Sequence, residues 1–241
     1  MLYVIGIGPG ALATMTHEAK EAIDEAEVIV GYKTYTHLVK ALTADKEVVK
    51  TGMCKEIERC QAAIDLARSG RKVALISSGD AGIYGMAGLI LELVSKQGLD
   101  LEVRLIPGMT ASIAAAALLG APLMHDFCHI SLSDLLTPWA VIEKRIIAAA
   151  QADFVICFYN PRSRGRADHL ARAFELMAPF KCADTPVGVV KSASRKKQET
   201  WITSLGGMDF EPVDMTSLVI VGNAATYVSQ GRMITPRGYQ V

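Results

Sequence analysis

Residues 4–19 read VIGIGPGALATMTHEA, an apolar run entering three glycines spaced two apart, Gly6, Gly8 and Gly10, with Pro9 between the last two. Glycines at the end of a strand adopt positive φ and let another backbone or a ligand come close. A dinucleotide fingerprint requires G-x-G-x-x-G, a helix starting at the loop and an acid closing the second strand. Here the spacing is G-x-G-x-G, and the helical pattern starts only around Thr14 or Thr16. The second apolar run, EVIVGY, ends in Gly31 and Tyr32, and no G-K-[ST] follows for a P-loop. The stretch therefore predicts a strand, a loop unsuited to phosphate, and a helix. The loop is either a close-packed turn at a cleft edge or a flank of a nucleoside ligand.

Outward from this segment, the runs LYVIGI, EVIVGY, EVVKT, KVALISS and EVRLIP alternate with the helical patterns THEAKEAIDEA, YKTYTHLVKALT, CKEIERCQAAIDLARSG and YGMAGLILELVSKQG. In the third of these patterns Ile57, Cys60, Ala63, Ile64 and Ala67 recur at helical spacing, and Gly70 stands at the C-cap. Such alternation predicts a mostly parallel α/β sheet. The character changes near Gly120 and Pro122. HISLS, DFVICFY, TPVGVVKS, ETWITSL and TSLVIVG then follow, with WAVIEKRIIAAAQA and RADHLARAFELMAP between the early members. Little helix separates the last three strands, which predicts a mixed sheet with antiparallel hairpins. The expected architecture is two α/β domains, residues 1–118 and 119–241.

Composition narrows the function classes. The chain has 241 residues, 51% of them hydrophobic, with Lys plus Arg equal to Asp plus Glu at 25 each. Net charge gives no support to nucleic-acid binding. No apolar run reaches the roughly 18 residues of a membrane span, and the start lacks a signal peptide's basic flank and cleavage site. The five cysteines are odd in number and show no C-x-x-C spacing, as expected for free thiols in a reducing cytoplasm.

Two further segments end predicted parallel strands, where open α/β sheets bind ligands. ISSGDAGIYGMAG (residues 76–88) places Asp80 between glycines, able to accept hydrogen bonds or face a cation. IPGMTASIAAAA (residues 106–117) makes a Pro-Gly turn before a helix for which Thr110 is a candidate N-cap. With the first glycine loop they form one shared binding edge.

GIGPGA, SGDAGIYG and PGMTA, in that order and spacing, resemble the tetrapyrrole (class III) methyltransferase family, and the resemblance covers essentially the whole chain. It implies two α/β domains, a homodimer, and S-adenosyl-L-methionine bound in the cleft between domains. HDFCHISLSDLLTPW, FYNPRSRGR and TPRGY resemble the members that methylate C17 of precorrin-3B, or of cobalt-precorrin-3, and contract the macrocycle in cobalamin synthesis. By the same resemblance Pro9 borders the donor. Ser78, Gly79, Asp80 and Ile83 contact its amino-acid and ribose portions, Thr110 and Ala111 lie beside them, and Phe158 and Ala193 flank the adenine. The family commonly carries Gly-Asp-Pro where this chain has Gly79, Asp80 and Ala81.

A substrate rich in carboxylates calls for basic residues, and guanidinium groups grip carboxylates bidentately. Arg162 and Arg164 in NPRSRGR are the first candidates, with Arg166, Arg195, Lys196 and Lys197 behind them; a solvated basic loop is the plainer reading. Ring contraction moves protons and needs a general acid or base. If HISLS is a strand, His129, Ser131 and Ser133 share one face. His129, Ser131 and Asp80 are the catalytic candidates; Tyr84, His125, Ser133 and Asp134 are expected at the substrate. Turn capping by Asp126 and Asp134 is the structural alternative. No resident metal is expected, and any cobalt would arrive within the substrate. Three other readings stay open: methylation at a different ring carbon, a non-catalytic tetrapyrrole or nucleoside carrier, and a nicotinamide-dependent dehydrogenase, which the glycine spacing disfavours.

Overall fold

The computed structural model describes residues 1–163 and 165–240. The chain divides into two compact units, Met1–Ala111 and Ser112–Val241. This division falls before the expected 118/119 junction, because the helix at Ala111–Leu119 packs with the second unit. There the Ser112 N–H donates to the Tyr159 hydroxyl at 3.0 Å, and the Leu119 side chain fills the space where Gly188 has no Cβ.

In unit 1 the five apolar runs all form strands: β1 (Leu2–Gly6), β2 (Val28–Tyr32), β3 (Glu47–Thr51), β4 (Val73–Ser77) and β5 (Val103–Ile106). They build one sheet, order β3-β2-β4-β1-β5, with every pairing parallel. Strands covered on both faces read as continuous apolar runs, and β1 and β4 are buried throughout. Leu2, Val4, Val28, Val30, Val73 and Leu75 pack with α3 (Glu56–Arg68) and α4 (Ala87–Lys96). The alternate residues Tyr3, Ile5, Ile29, Ala74 and Ile76 pack on the opposite side with α1 (His17–Glu25). Thr16 caps α1 by accepting the Ala19 N–H at 3.1 Å, so the helix begins well past Gly10. A short α2 (Lys33–Leu38) follows β2.

Unit 2 opens with α5 (Ala111–Leu119, its first residue in unit 1) and continues through β6 (Gly120–Ala121), β7 (Phe127–Ser131), α6 (Trp139–Gln151), β8 (Val155–Tyr159), α7 (His169–Met177), β9 (Pro186–Lys191), β10 (Glu199–Ser204) and β11 (Ser217–Val221). The main sheet runs β10-β9-β11-β8-β7. Only β7 and β8 pair in parallel, joined through α6 as a crossover demands; the other pairings are antiparallel. Ile130, Ile156, Phe158, Val187, Val189, Val219 and Val221 face α6 and α7 in one core. Residues of the opposite parity, His129, Cys157 and Tyr159 among them, face the other way. A small sheet that the apolar pattern does not announce joins β6 to β12 (Tyr227–Ser229) and β13 (Arg232–Ile234). Its two-residue turn, Gln230 and Gly231, has φ of 49° and 70°, the type I′ geometry that suits a hairpin.

A Cβ on Gly108 would lie 2.2 Å from the Gly79 carbonyl oxygen and 2.5 Å from that of Gly6. Gly88, in the first turn of α4, has open space around it. Gly108→Ala is therefore expected to destabilise the protein by about 3 kcal/mol through forced backbone displacement. Gly88→Ala should stabilise it by about 0.5 kcal/mol. Urea unfolding of both variants checks this pair.

Candidate active site

The loops after β1, β4 and β5 meet at the carboxyl edge of the parallel sheet and are laced backbone to backbone. The Gly8 N–H donates to the Gly79 carbonyl at 3.0 Å, and the Gly79 N–H donates back to Gly8 at 2.8 Å. The third loop is drawn in by Asp80. One carboxylate oxygen accepts the Gly82 N–H at 2.7 Å; the other accepts the Gly108 N–H at 2.9 Å. Gly79 also lies beside Thr110 and Ala111, 3.7 Å from the Thr110 Cα by the position a Cβ would take. The structure thus brings together Pro9, Ser78, Gly79, Asp80, Thr110 and Ala111, and gives Asp80 a bracing role. Pro9, Gly79 and Thr110 are buried; Ser78, Asp80, Ile83 and Ala111 are half-buried. Tyr84, at φ 53°, is held in the left-handed region with its side chain exposed, a backbone conformation that costs free energy and clusters at ligand sites.

The second set of candidates gathers where β7 and β8 end. His129 lies between Phe127 and Tyr159, ring centroids 5.6 Å and 5.1 Å away. Its Nε2 is buried and has no hydrogen-bond partner. Burial holds the imidazole below its ordinary pKa, so the ring is neutral at pH 7. Ser131 accepts the Asn160 side-chain amide at 2.9 Å and the Ser133 N–H at 3.2 Å. Asn160 itself has φ 51°. Ser133 lies past the end of β7, so its placement follows from this turn rather than from strand alternation.

Several candidates are occupied in other ways. Arg162 spends Nη1 on the Phe210 and Glu211 carbonyls, at 2.8 and 3.1 Å, and Nη2 on the Glu211 carboxylate at 2.8 Å; it pins the 209–212 segment. Arg164 lies outside the described residues. His125 accepts the Asp126 N–H on Nδ1 at 2.8 Å, a local turn contact. Asp134 pairs with His169 Nε2 at 3.0 Å, and this hydrogen bond holds the exposed carboxyl below the usual range. His169 in turn stacks edge-on against Trp139 at 4.5 Å. The Phe158 ring is in the unit 2 core, leaving only its backbone for a ligand, and Ala193 is nearly buried. Asn160 and His169 escaped the sequence reading; the NP turn in FYNPRS was the available signal for the first, and none existed for the second. Among the described residues, no group of three or more His, Cys, Asp or Glu is placed to hold a metal ion.

Fold and edge together define an α/β protein of two units whose first sheet ends in glycine loops packed against one another, with the N–H groups of Gly8, Gly79, Gly82 and Gly108 bonded within the protein. The sequence model of the tetrapyrrole (corrin/porphyrin) methylases matches residues 1–209, and the chain belongs to that family. It is 80% identical over 239 residues to the probable cobalt-factor III C(17)-methyltransferase of Salmonella typhimurium, covering 99% of each chain. To the precorrin-3B C(17)-methyltransferase of a Sinorhizobium species it is 39% identical, covering 99% of this chain and 96% of the relative. The crystal structure of the methyltransferase CobJ matches with a TM-score of 0.93 at 36% identity, over 98% of this chain and 99% of that one.

A histidine whose folded pKa is depressed stabilises the fold above its unfolded value, about 6.5, and that stability is lost as pH falls through the folded value. His129→Phe should therefore remove part of the drop in urea midpoint between pH 8 and pH 5. In addition, burial pushes the Cys60 thiol up to about 12, Cys128 up to about 11 and Cys157 higher still. Cys54 and Cys182 are exposed. Alkylation of the native protein near pH 8, read by peptide mass, should modify Cys54 and Cys182 and spare the other three until the chain unfolds.

Proposed function

We propose that this chain transfers a methyl group from S-adenosyl-L-methionine to C17 of a precorrin-3-level tetrapyrrole, with ring contraction, and that the cobalt-carrying form is its substrate. The identity of 80% across 99% of both chains with a relative named for cobalt-factor III carries the reading. The relative named for the metal-free substrate stands at 39%.

The donor edge suits a sulfonium. Residues 6–16, 78–86 and 107–113 contain no Lys or Arg, and Asp80 supplies the local negative charge. Pro9, Ser78, Gly79, Ile83, Thr110 and Ala111 are the residues to hold the donor, Asp80 fixing the loops that carry them. The donor is already activated: its methyl carbon passes to a ring carbon that supplies the bonding pair, and the sulfur keeps the old pair as a neutral thioether. The protein's share is alignment and exclusion of water, together worth ~7–11 kcal/mol. His129, neutral with Nε2 unpartnered, is the group to take up or return the proton that ring contraction moves. Ser131 and Asn160, bonded to each other, orient the macrocycle beside it. Carboxylate binding falls less on Arg162, whose donors are already engaged.

A cytoplasmic homodimer completes the proposal. Its supports are five free cysteines, the absence among the described residues of any helix long and apolar enough to cross a membrane, and exposed apolar side chains at Ile113, Leu118 and Val228. Light scattering should give twice the chain mass; a single-chain mass removes that part.

The test is incubation with methyl-labelled donor and a cobalt-bearing precorrin-3-level tetrapyrrole. Label at C17 of a contracted ring supports the reading; label at another carbon makes the chain a sibling enzyme, and binding without transfer makes it a carrier. His129→Ala should lower kcat by about 10²–10⁴-fold, the usual worth of a general acid or base, with donor KM nearly unchanged.

A further inference from the structure

Arg59, on α3 of unit 1, is only 4% exposed. Buried charges are ordinarily paired with an opposite charge, yet among the described residues no carboxylate lies within salt-bridge distance of this guanidinium. Its partners are neutral and come from separate segments. Nε donates to Thr51 Oγ1 at 2.6 Å, at the end of β3. Nη2 donates to the Gly52 carbonyl at 2.8 Å. Nη1 reaches Met86 Sδ at 3.6 Å, at the N-cap of α4. Tyr32, closing β2, lies under the cation at 5.9 Å.

Met86 ends the loop of residues 78–86, which carries Ser78, Gly79, Asp80, Ile83 and Tyr84. That loop is held at its other end by the Gly8–Gly79 pair and by Asp80. Near Met86 the Ala87 N–H donates to the Ala81 carbonyl at 2.9 Å, the Met86 N–H to Ser77 Oγ at 3.3 Å, and the Ile90 N–H to the Met86 carbonyl at 3.0 Å. An apolar side chain of similar volume would serve stability as well as a buried cation, or better. What the planar fork adds is a fixed spacing between acceptors on different segments.

We propose that Arg59 is a positioning residue for the donor loop: it ties the end of β3 to the start of α4 and so sets the path of residues 78–86. It acts through Met86 and the loop and does not touch the reacting atoms. Its link to the methyl donor rests on the functional reading above; the brace itself does not.

Hydrogen exchange on the full, ligand-free chain tests the brace directly. In Arg59→Met, amides of residues 82–88 should exchange about tenfold faster, while those of β1 keep their wild-type protection. Arg59→Lys should behave like the methionine variant, because one ammonium cannot reproduce the fork. Unchanged exchange at 82–88 in Arg59→Met overturns the proposal, as does equal acceleration throughout unit 1, which would mark a general structural role. Thr51→Val removes one acceptor at little change in volume and should accelerate exchange about threefold in the same segment. If Arg59→Met does not fold, that variant decides, and wild-type protection in it overturns the brace. Calorimetry with S-adenosylhomocysteine then reads the link to the donor: Kd should rise about tenfold in Arg59→Met. Unchanged Kd with a raised KM for the tetrapyrrole overturns positioning in favour of carboxylate binding. A wild-type chain that fails to bind the nucleoside sinks the donor reading, and exchange still judges the brace.

Discussion

The reciprocal hydrogen bonds between Gly8 and Gly79 are the constraint on which unit 1 depends. They join the loops that leave β1 and β4 at two glycines with φ of 74° and 69°, a conformation that side chains disfavour. Asp80 then adds the β5 loop by accepting the Gly108 N–H. Because the tie is made by backbone groups and one short carboxylate, it leaves the loops little freedom to rearrange. A binding edge of this kind costs no reorganisation when a ligand arrives, which is where alignment derives its catalytic worth.

The same arrangement answers what the opening glycines are for. Gly6 faces the Gly108 backbone so closely that a methyl group would sit 2.7 Å from its nitrogen. Gly6 and Gly8 therefore serve loop-to-loop contact within unit 1 first, and any ligand meets loops already packed against one another. A phosphate loop works differently, by leaving a row of N–H groups open to an anion. Here the N–H groups of Gly8, Gly79, Gly82 and Gly108 are all committed internally.

Strand order aside, unit 1 was legible because each strand is an uninterrupted apolar run and each helix repeats at 3.6 residues. Unit 2's main strands were equally plain. The small sheet was not: Gly120–Ala121 offers two residues to a parallel pairing with Met233–Ile234, and no local pattern encodes a partner so far along the chain. The division into compact units at 111/112 differs from the expected 118/119 junction for a related reason. The small, apolar sequence of α5 shows that it is buried, whereas which sheet covers it depends on the fit of Leu119 over Gly188. At the candidate site, motif and strand end pointed to Asp80, His129 and Ser131 as candidates. Sequence could not reveal that Arg162 is spent on Glu211 or that Asp134 is joined to His169, since both pairings join residues far apart along the chain.

The two units meet their polar groups in opposite ways. Unit 1 satisfies the donors of its edge among themselves, so it presents a finished surface. Unit 2 leaves His129 Nε2 buried and without a partner, at a cost the fold gains nothing from. The imidazole nitrogen stays unsatisfied beside a serine–asparagine pair that is satisfied, which leaves hydrogen-bonding capacity open at that atom. Burial also holds that imidazole neutral, the form able to accept a proton. A neutral, desolvated base held by aromatic neighbours is poorly suited to bracing a sheet and well suited to receiving a proton from a bound molecule. On the proposed reading, that asymmetry assigns alignment of the donor to the first unit and proton transfer to the second.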